Sequence, residues 1–529
     1  MRPRAEPALD AAAALAALAE VVGPDHVLHD AALTPYASDI FNTAKPPLAL
    51  AAPATVAELQ ALVQLAGRFG LVLVPRGGGA SYTAGTLADT GRALLVDLRR
   101  LDRVVAVNEQ DAWVTVQAGI TWAALDAALA PRGWRTPFRG PFSGSVATVG
   151  GAMAQHAISH GSGGFGMSAD SVLSLAVVLA DGSLLHTGSA AVTGQPFLRH
   201  AGPDLSGLFL GSCGALGTIA TITLPLRRRA PAFAGASFGF DSFDALHAGM
   251  QAAARAAVDD THFALDAAMV GGALARPRSL ADTLRIARRV AASAPHAGAA
   301  LAALWRLAWA GERGLKRWPY LAHYGVEAGD GAELRAKCRQ LQAAMRGHGH
   351  RLPATVPTVV HSQPFERMFH LLGPAGERWV PLHGLLPHSR VRACQAALQA
   401  WRDQHGDDLQ RRGVWLGSLF ECVGAGAFSL ELCLYWPDGL NAYHRMALGP
   451  ATLARRPAQP DDPALRDWVG AQRQTLIRLL QDHGAVQMQI GRTYGHAPRL
   501  DAVAAAQLRA LKRQLDPAGR MNPGVLGLW

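Results

Sequence analysis

The chain has 529 residues, half of them hydrophobic, which is more than one typical domain needs and enough to bury sizeable cores. Its 50 lysines and arginines exceed its 40 acidic residues by 10, giving a net charge of +10. The excess is spread along the chain and carried mostly by arginine, and its basic runs are short, which argues against nucleic-acid binding. No run of about 18 uninterrupted apolar residues occurs, which argues against a membrane-spanning helix.

The N-terminal segment and the cysteines point to a cytoplasmic protein. Glu6 and Asp10 stand where a secretory signal peptide would be basic, so the alanine-rich segment is predicted to be a first helix capped by Asp10. Five cysteines are widely spaced and form no CxxC pair, as expected for reduced thiols.

From about residue 50 to 229, short strands alternate with capped helices. Residues 55–70 and 121–133 each begin with a threonine that can cap a helix and end with a glycine. Residues 93–98 and 112–119 are predicted strands, and 173–188 a hairpin that turns at Asp181-Gly182. The pattern is that of an α+β domain.

After Arg229 the pattern changes to helices that alternate with widely spaced strands. We therefore predict a first domain at 1–229, a second domain at 230–489 built on an antiparallel sheet, and a C-terminal segment at 490–529 that returns to the first domain. Residues 300–318 carry three tryptophans among basic residues, a pattern typical of a packed helix or of weak contact with the inner face of a membrane.

Three glycine clusters raise the question of a nucleotide. They are "PRGGGASYTAG" at 75–85, the segment at 143–170 and "GSCGALGTI" at 211–219. Glycine amides next to Ser and Thr hydroxyls suit a diphosphate. Gly161, Gly163 and Gly166 fit GxGxxG, but a predicted strand follows where a Rossmann fold needs a helix. No Gly-Lys-Ser/Thr follows the first cluster, so a Walker loop is excluded as well.

These clusters, together with the C-terminal "LKRQLDPAGRMNPG", resemble the FAD-binding flavoproteins of the vanillyl-alcohol oxidase / p-cresol methylhydroxylase superfamily. Within it they are most similar to the D-lactate dehydrogenase / glycolate oxidase branch. The resemblance implies a two-lobed FAD-binding domain of the p-cresol methylhydroxylase type and a substrate domain, or cap, that covers the flavin. It also implies an enzyme that oxidises CH–OH groups.

The resemblance implies which residues contact FAD. The first cluster would hold the pyrophosphate, the second would form a wall beside the phosphates and the flavin ring, and the remaining residues would contact the flavin or adenosine. These residues are Pro75, Arg76, Gly77, Gly78, Gly79, Ala80, Ser81, Tyr82, Gly85, Gly144, Ser145, Thr148, Gly150, Gly151, Gly161, Gly166, Asp170, Gly217, Ile219 and Asn522.

The mode of attachment is predicted to be non-covalent. Covalently flavinylated relatives often place a histidine just after the glycines, where this chain has Ala80. His156 and His160 could in principle reach the flavin, but packing and hydrogen bonding within their loop is the favoured interpretation.

The catalytic candidates come from alternation along the second-domain strands, from the end of the strand that carries Glu421, and from the C-terminal segment "IGRTYGH". In "FSLELCLYW" the leucines form one face for helices to cover, and Glu431 and Tyr435 lie on the other face, predicted to be the flavin side. The full set is His383, Glu421, Glu431, Tyr435, Arg492 and Tyr494.

The expected substrate is a 2-hydroxy acid whose carboxylate would be gripped by Arg492. The metal-binding motif frequent in that branch is matched poorly by "HGLLPHS" and "GRTYGH", so no metal is predicted. The poor match also leaves open a second substrate class, a phenolic or other bulky alcohol. An aromatic lining formed by Trp379, Tyr435 and Tyr494 would suit such a substrate. A flavin-binding protein without catalysis is a third alternative. Oxygen, a quinone or a cytochrome could reoxidise the flavin.

Overall fold

The computed structural model describes residues 9–275, 280–292, 316–365 and 371–528. Their strands, in chain order, are β1 Val27–Leu28, β2 Ala49–Ala51, β3 Val72–Arg76, β4 Ala93–Asp97, β5 Val104–Asn108, β6 Trp113–Gln117, β7 Trp134–Arg135, β8 Ser174–Val178, β9 Leu184–His186, β10 Thr218–Pro225, β11 Arg227–Arg228, β12 Ala232–Phe240, β13 Thr261–Asp266, β14 Tyr320–Ala328, β15 His350–Leu352, β16 Arg378–Pro387, β17 Trp415–Val423 and β18 Ala427–Trp436.

The α-helices lie between these strands and after them. They are α1 Ala11–Val22, α2 Val56–Phe69, α3 Trp122–Leu129, α4 Val149–Gln155, α5 Ser162–Phe165, α6 Ala190–Thr193, α7 Ser206–Phe209, α8 Phe243–Ala256, α9 Ala267–Ala275, α10 Leu280–Ala292, α11 Gly331–Ala344, α12 Thr355–Ser362, α13 His388–Arg411, α14 Ala442–Leu448, α15 Pro450–Leu453, α16 Pro463–Asp482 and α17 Ala502–Leu515. The mixed α+β class predicted from the sequence is confirmed. Within the described ranges, no helix is both long and apolar enough to cross a membrane.

Local signals account for the helices and turns of the first part of the chain. The Thr55 side chain accepts a hydrogen bond from the Glu58 amide at the start of α2, and Gly70 ends that helix in the left-handed conformation. Asp10 caps α1 in the same way. β8 and β9 form the predicted antiparallel hairpin.

The first 230 residues form two larger sheets. One has the strand order β1-β2-β4-β3 and is parallel from β2 to β3, and the other is antiparallel with the order β5-β6-β10-β8-β9. A common apolar core joins them. In the parallel sheet, β3 is a short apolar strand that leads directly into the first glycine cluster.

The second part of the chain is built on a seven-stranded antiparallel sheet with the order β15-β12-β14-β13-β17-β18-β16. On β18, Leu430, Leu432 and Leu434 pack in one core with residues of α13 and α16. The apolar face therefore lies against helices, as the alternation predicts. Glu431 and Tyr435 point to the opposite face, which is called the open face below.

The C-terminal residues extend an edge of the first parallel sheet. Met521 forms a parallel bridge with Leu73 of β3, and the Asn522 amide donates to the Leu73 carbonyl at 2.8 Å. We retain the division at residues 229 and 489 as a proposal. The segment at 300–318 lies almost entirely outside the described residues.

Candidate active site and cofactor site

The first glycine loop packs against the second glycine cluster with no room for side chains. A Cβ on Gly78 would lie 1.9 Å from the Val146 carbonyl oxygen, and one on Gly77 would lie 2.2 Å from Oγ1 of Thr148. Gly79 has a φ of +69°, which side chains rarely tolerate. Glycine is therefore required here by the close approach of two loops.

The same loop presents unpaired backbone donors. Within the described part of the chain, the amides of Gly78, Gly79, Ala80 and Ser81 have no hydrogen-bond acceptor, while Tyr443 fixes the loop by donating to the Gly79 carbonyl at 2.8 Å. Consecutive unpaired amides in a turn form an anion-binding concavity. The loop therefore fits the diphosphate of FAD.

The second cluster uses its amides internally. The Gly150 amide donates to the Ala118 carbonyl at 2.8 Å, and the Gly151 amide donates to Oγ1 of Thr148 at 3.1 Å. Gly144 donates to the Pro141 carbonyl. Any contact of these three glycines with FAD would therefore come from packing rather than from their amides.

Other residues assigned to FAD hold local turns. A Cβ on Gly161 would lie 2.5 Å from the Pro137 carbonyl oxygen, and one on Gly166 would lie 2.2 Å from Oδ2 of Asp170. That carboxylate accepts the Met167 amide at 2.8 Å. Direct contact with the cofactor stays a prediction for them, as it does for Pro75, Arg76, Gly77, Tyr82, Gly85, Ser145, Thr148, Gly217 and Ile219.

The two histidines of this region are engaged in their loop. Nε2 of His160 donates to the Pro364 carbonyl at 2.8 Å, and burial lowers its pKa to about 3. His156 ends α4 in the left-handed conformation, and its ring lies where a Cβ on Gly211 would be. These contacts agree with the packing interpretation.

Arg492 uses its guanidinium for contacts within the protein, which argues against its predicted role as the anchor of a substrate carboxylate. Its guanidinium donates to the Ala84 and Pro523 carbonyls and to Oδ1 of Asn522, all at 2.7–2.8 Å. Nδ2 of Asn522 in turn donates to the Gly85 and Cys213 carbonyls. Arg492 and Asn522 thus brace the C-terminal segment against the end of the first glycine loop.

The structure brings together other candidates on the open face. His383 on β16 pairs in register with Glu431 on β18. The Tyr494 hydroxyl accepts a hydrogen bond from the His383 amide at 3.2 Å, and the Tyr82 hydroxyl lies 3.3 Å from Nδ1 of His383. Tyr82 belongs to the glycine loop. The cluster therefore joins three parts of the chain: the seven-stranded sheet, called the cap sheet below, the C-terminal segment, and the first glycine loop, called the FAD loop below.

The hydrogen bonds fix the tautomer of His383. Its Nε2 lies 2.7 Å from the Met488 carbonyl, which can only accept, so Nε2 carries the proton. Nδ1 is then the acceptor for the Tyr82 hydroxyl. Burial lowers the pKa of His383 to about 4, which agrees with a neutral ring. His383 therefore positions Tyr82 and is a poor candidate for the catalytic base.

Two carboxyl groups of the open face have raised pKa values. Burial raises the pKa of Glu431 to about 7, and the Cys433 thiol points at Oε1 of this residue from 3.8 Å. Burial, with repulsion from Glu431, raises the pKa of Glu421 to about 8. A general base works best with a pKa near the working pH, so Glu431 is the best-suited base of the cluster.

Aromatic rings border the cluster at one end. Tyr435 stacks on Trp415 with 3.7 Å between ring centres, and Trp379 lies edge-on to Tyr82 at 6.1 Å. Trp379 and Tyr435 are register partners on β16 and β18. Tyr435 therefore contributes to the wall of the site rather than to its centre.

Arg473, which the sequence reasoning missed, is the cation of the cluster. It lies on α16, is 1% exposed, and its Nη2 donates to the Tyr82 carbonyl at 3.0 Å. Its Nε is buried without a hydrogen-bond partner among the described residues. Burial lowers the pKa of Arg473, and within the described part of the chain Asp39 is the carboxylate whose charge opposes that shift. The signal was present in the sequence, because Arg473 interrupts an apolar helical stripe that includes Val469 and Leu480.

Within the described chain, no group of three or more His, Cys, Asp and Glu side chains forms a metal-ligand set. His383 and His388, which fall in the region of the branch's metal motif, are bonded elsewhere. Nδ1 of His388 lies 3.0 Å from Nε2 of His247, and His383 has the contacts given above.

Comparison with known proteins agrees with the cofactor fit. Residues 47–188 match the family model described as "FAD binding domain". The probable mitochondrial D-lactate dehydrogenase of Danio rerio is 34% identical over 34% of this chain and 35% of its own length. The D-2-hydroxyglutarate dehydrogenase of Xanthomonas citri pv. viticola is 33% identical over 38% of this chain and 41% of its own length. The matched region thus spans well under half of these relatives.

Solved structures match over nearly the whole chain. The 4-ethylphenol oxidase of Gulosibacter chungangensis has a TM-score of 0.73 at 16% identity, covering 100% of this chain and 99% of its own. p-Cresol methylhydroxylase has a TM-score of 0.69 at 14% identity, covering 98% and 96%. At these identities the likeness defines the fold. Residues 47–188 therefore belong to the FAD-binding domain family, and the chain as a whole has the fold of p-cresol methylhydroxylase.

Proposed function

We propose that the protein is an FAD-dependent oxidoreductase that oxidises the alcohol carbon of a 2-hydroxy acid. The observation that carries this proposal is the buried guanidinium of Arg473, which has no ion-paired carboxylate among the described residues and lies in one cluster with Tyr82, Tyr494 and Glu431. A buried charge without a countercharge is costly, and a substrate carboxylate would offset that cost.

The residues divide the work between binding and proton transfer. Arg473 would hold the substrate carboxylate, Tyr82 and Tyr494 would orient the alcohol, and the Glu431 carboxylate would take its proton. Bound FAD would accept a hydride from the same carbon and pass the electrons to oxygen, a quinone or a cytochrome. The dehydrogenase names of the relatives described above support an acid substrate.

Substrate bleaching tests the proposal. We expect D-lactate, glycolate or a longer 2-hydroxy acid to bleach the flavin absorbance under anaerobic conditions. If none of these acids bleaches the flavin but vanillyl alcohol or p-cresol does, the substrate is a phenolic compound and the proposal is wrong. Absence of bleaching by any of these compounds would favour a flavin-binding protein without catalysis.

A phenolic alcohol is the second candidate, because of the aromatic wall. Trp379, Tyr435 and Trp415 lie on the open face beside Tyr82, and a phenolate would also pair with Arg473. The bleaching assay separates the two candidates directly.

The rate of acid oxidation is expected to depend on the ionisation of Glu431. Because the base must be deprotonated and its pKa is raised to about 7, kcat/KM should fall about tenfold for each pH unit below 7 and level off above it. Glu431→Gln should remove this limb and lower kcat/KM by about 10²- to 10⁴-fold. The measurement is a kcat/KM profile from acidic to alkaline pH. An unchanged acidic limb in Glu431→Gln would exclude Glu431 as the base.

We further propose that FAD is held without a covalent bond, because Ala80 stands where attachment histidines often occur. Acid precipitation should then release the flavin into the supernatant. Yellow colour retained in the pellet would contradict this and direct attention to His156 or His160.

A further inference from the structure

Cys433 lies beside the Glu431 carboxyl on the open face. The two residues are two positions apart on β18, so their side chains point to the same side of the cap sheet. Cys433 is 1% exposed, whereas Glu431 keeps part of its surface accessible. The carboxyl can therefore be reached from the open face, while the thiol is enclosed by the protein.

The thiol contacts one of the two carboxyl oxygens. Sγ of Cys433 lies 3.8 Å from Oε1 of Glu431. Because sulfur is larger than oxygen and an S–H group can donate, this contact is an S–H···O hydrogen bond. Among the described residues, no other donor is hydrogen-bonded to the Glu431 carboxyl. Oε2 is therefore left for a proton that comes from a substrate.

The register partners of Cys433 do not compete for its proton. Cys433 pairs with Pro381 on β16 and with Gly417 on β17. Neither partner has a side chain with a polar atom. Along its own strand, the residue two positions away on the same face is Glu431, and this residue is the acceptor that the sheet places within reach of the thiol.

The thiol stays protonated in this environment. Burial raises its pKa well above the ordinary value, and the negative charges of Glu431 and Asp266 add to that shift. A protonated thiol is a poor nucleophile, so Cys433 is suited to donate rather than to react. Burial raises the pKa of Glu431 to about 7, and the hydrogen bond from the thiol keeps it below the value that burial alone would give.

The other groups around Glu431 do not change charge near pH 7. Those that face it from neighbouring elements are Glu421 on β17, His383 on β16, Tyr82 in the FAD loop, Tyr494 in the C-terminal segment and Arg473 on α16. Burial lowers the pKa of His383 to about 4, raises that of Tyr494 to about 12 and raises that of Tyr82 well above its ordinary value. Glu421, with a pKa raised to about 8 by burial, titrates at higher pH. An ionisation near pH 7 therefore belongs to Glu431.

We propose that Cys433 is a positioning residue, whose thiol holds the Glu431 carboxylate through Oε1 and leaves Oε2 to take the proton of the substrate hydroxyl. In this step the O–H bond of the alcohol breaks, its electron pair stays on the alcohol oxygen, and a new bond forms between the proton and Oε2. The thiol keeps its own proton throughout. The role of Glu431 as the base rests on the proposed function.

Infrared spectroscopy of the FAD-loaded protein tests the contact without turnover. The S–H stretching band of Cys433 is assigned as the band that Cys433→Ala loses. We expect this band to move to lower frequency as the pH rises through about 7, because a carboxylate accepts more strongly than a carboxylic acid. In Glu431→Gln the band should not respond to pH.

Cys394→Ala is the matched control for this measurement. It removes a buried cysteine of α13 whose pKa is raised by burial, without a hydrogen-bonded carboxylate among the described residues. The control should keep the pH-dependent band. A wild-type Cys433 band that does not respond to pH would overturn the proposal.

The pH profile of kcat/KM for a 2-hydroxy acid tests the consequence for the base. Without the thiol, the acidic limb should move up by about one pH unit, so kcat/KM of Cys433→Ala falls about tenfold at acidic pH and is unchanged on the alkaline plateau. Cys433→Ser, which keeps a donor of similar size, should return the limb towards its wild-type position, and Cys394→Ala should leave it in place.

The outcomes separate a positioning role from a structural one. A limb that stays in place in Cys433→Ala, or an equal loss of kcat/KM at every pH, would overturn the positioning role. A pH-dependent S–H band in a protein that oxidises no 2-hydroxy acid would instead refute the proposed function and leave the contact between Cys433 and Glu431 standing.

Discussion

Gly78→Val protein is expected to lack bound flavin. The new Cβ would lie 1.9 Å from the Val146 carbonyl oxygen, a backbone atom that cannot rotate away, so the two glycine loops must separate. Their separation moves the unpaired amides of Gly79, Ala80 and Ser81 out of the geometry needed for a diphosphate. We expect flavin affinity to fall by a factor of ten or more, about 1.4 kcal/mol at the least.

The measurement is the ratio of flavin to protein absorbance after purification, with reconstitution by added FAD. Gly91→Val is the matched control, because a Cβ at Gly91 has no atom within 4 Å. Circular dichroism of both variants separates loss of the cofactor from loss of the fold. Normal flavin content in a folded Gly78→Val protein would show that the pyrophosphate lies elsewhere.

Arg473→Lys should lower kcat/KM for 2-hydroxy acids by about 30- to 1000-fold, equivalent to about 2–4 kcal/mol. A lysine keeps the charge but replaces a planar fork with a point contact, and it loses the bond to the Tyr82 carbonyl. Arg473→Met should be at least as impaired, because it removes the charge as well.

Lactamide separates anion binding from general damage to the site. Its uncharged amide replaces the carboxylate, so its oxidation should respond much less to either Arg473 variant than oxidation of lactate. Arg478→Met, at an exposed position on the same helix, is the control and should leave lactate oxidation unchanged. Equal losses for lactate and lactamide would show that Arg473 supports the structure rather than the carboxylate.

Local rules explain why much of the fold could be read from the sequence. Caps such as Thr55 and Asp10 act within one helical turn, and the Asp181-Gly182 turn acts within one hairpin. Alternation on β18 predicts which side chains face the helices, because neighbouring residues of a strand point to opposite sides. The glycine loops were also recognisable from the sequence, because only residues without a Cβ atom allow the first and second glycine clusters to approach each other so closely.

The composition of the candidate active site was decided by tertiary structure. Arg492 and Tyr494 are two residues apart, yet Arg492 braces Asn522 while the Tyr494 hydroxyl accepts the His383 amide. Arg473 reaches Tyr82 across 391 positions of sequence. No local pattern encodes such a contact, because it depends on how α16 is placed on the cap sheet and on how that sheet meets the FAD loop.

The sequence by itself thus determined the fold class, the cofactor and the open face on which His383 and Glu431 lie. Tertiary structure alone decided which cation stands beside them and gave His383 the role of positioning Tyr82. The physical reason is the distance along the chain over which each effect acts. Backbone periodicity, capping and glycine freedom act over a few residues, whereas burial, tautomer choice and a raised carboxyl pKa arise from atoms brought together by packing.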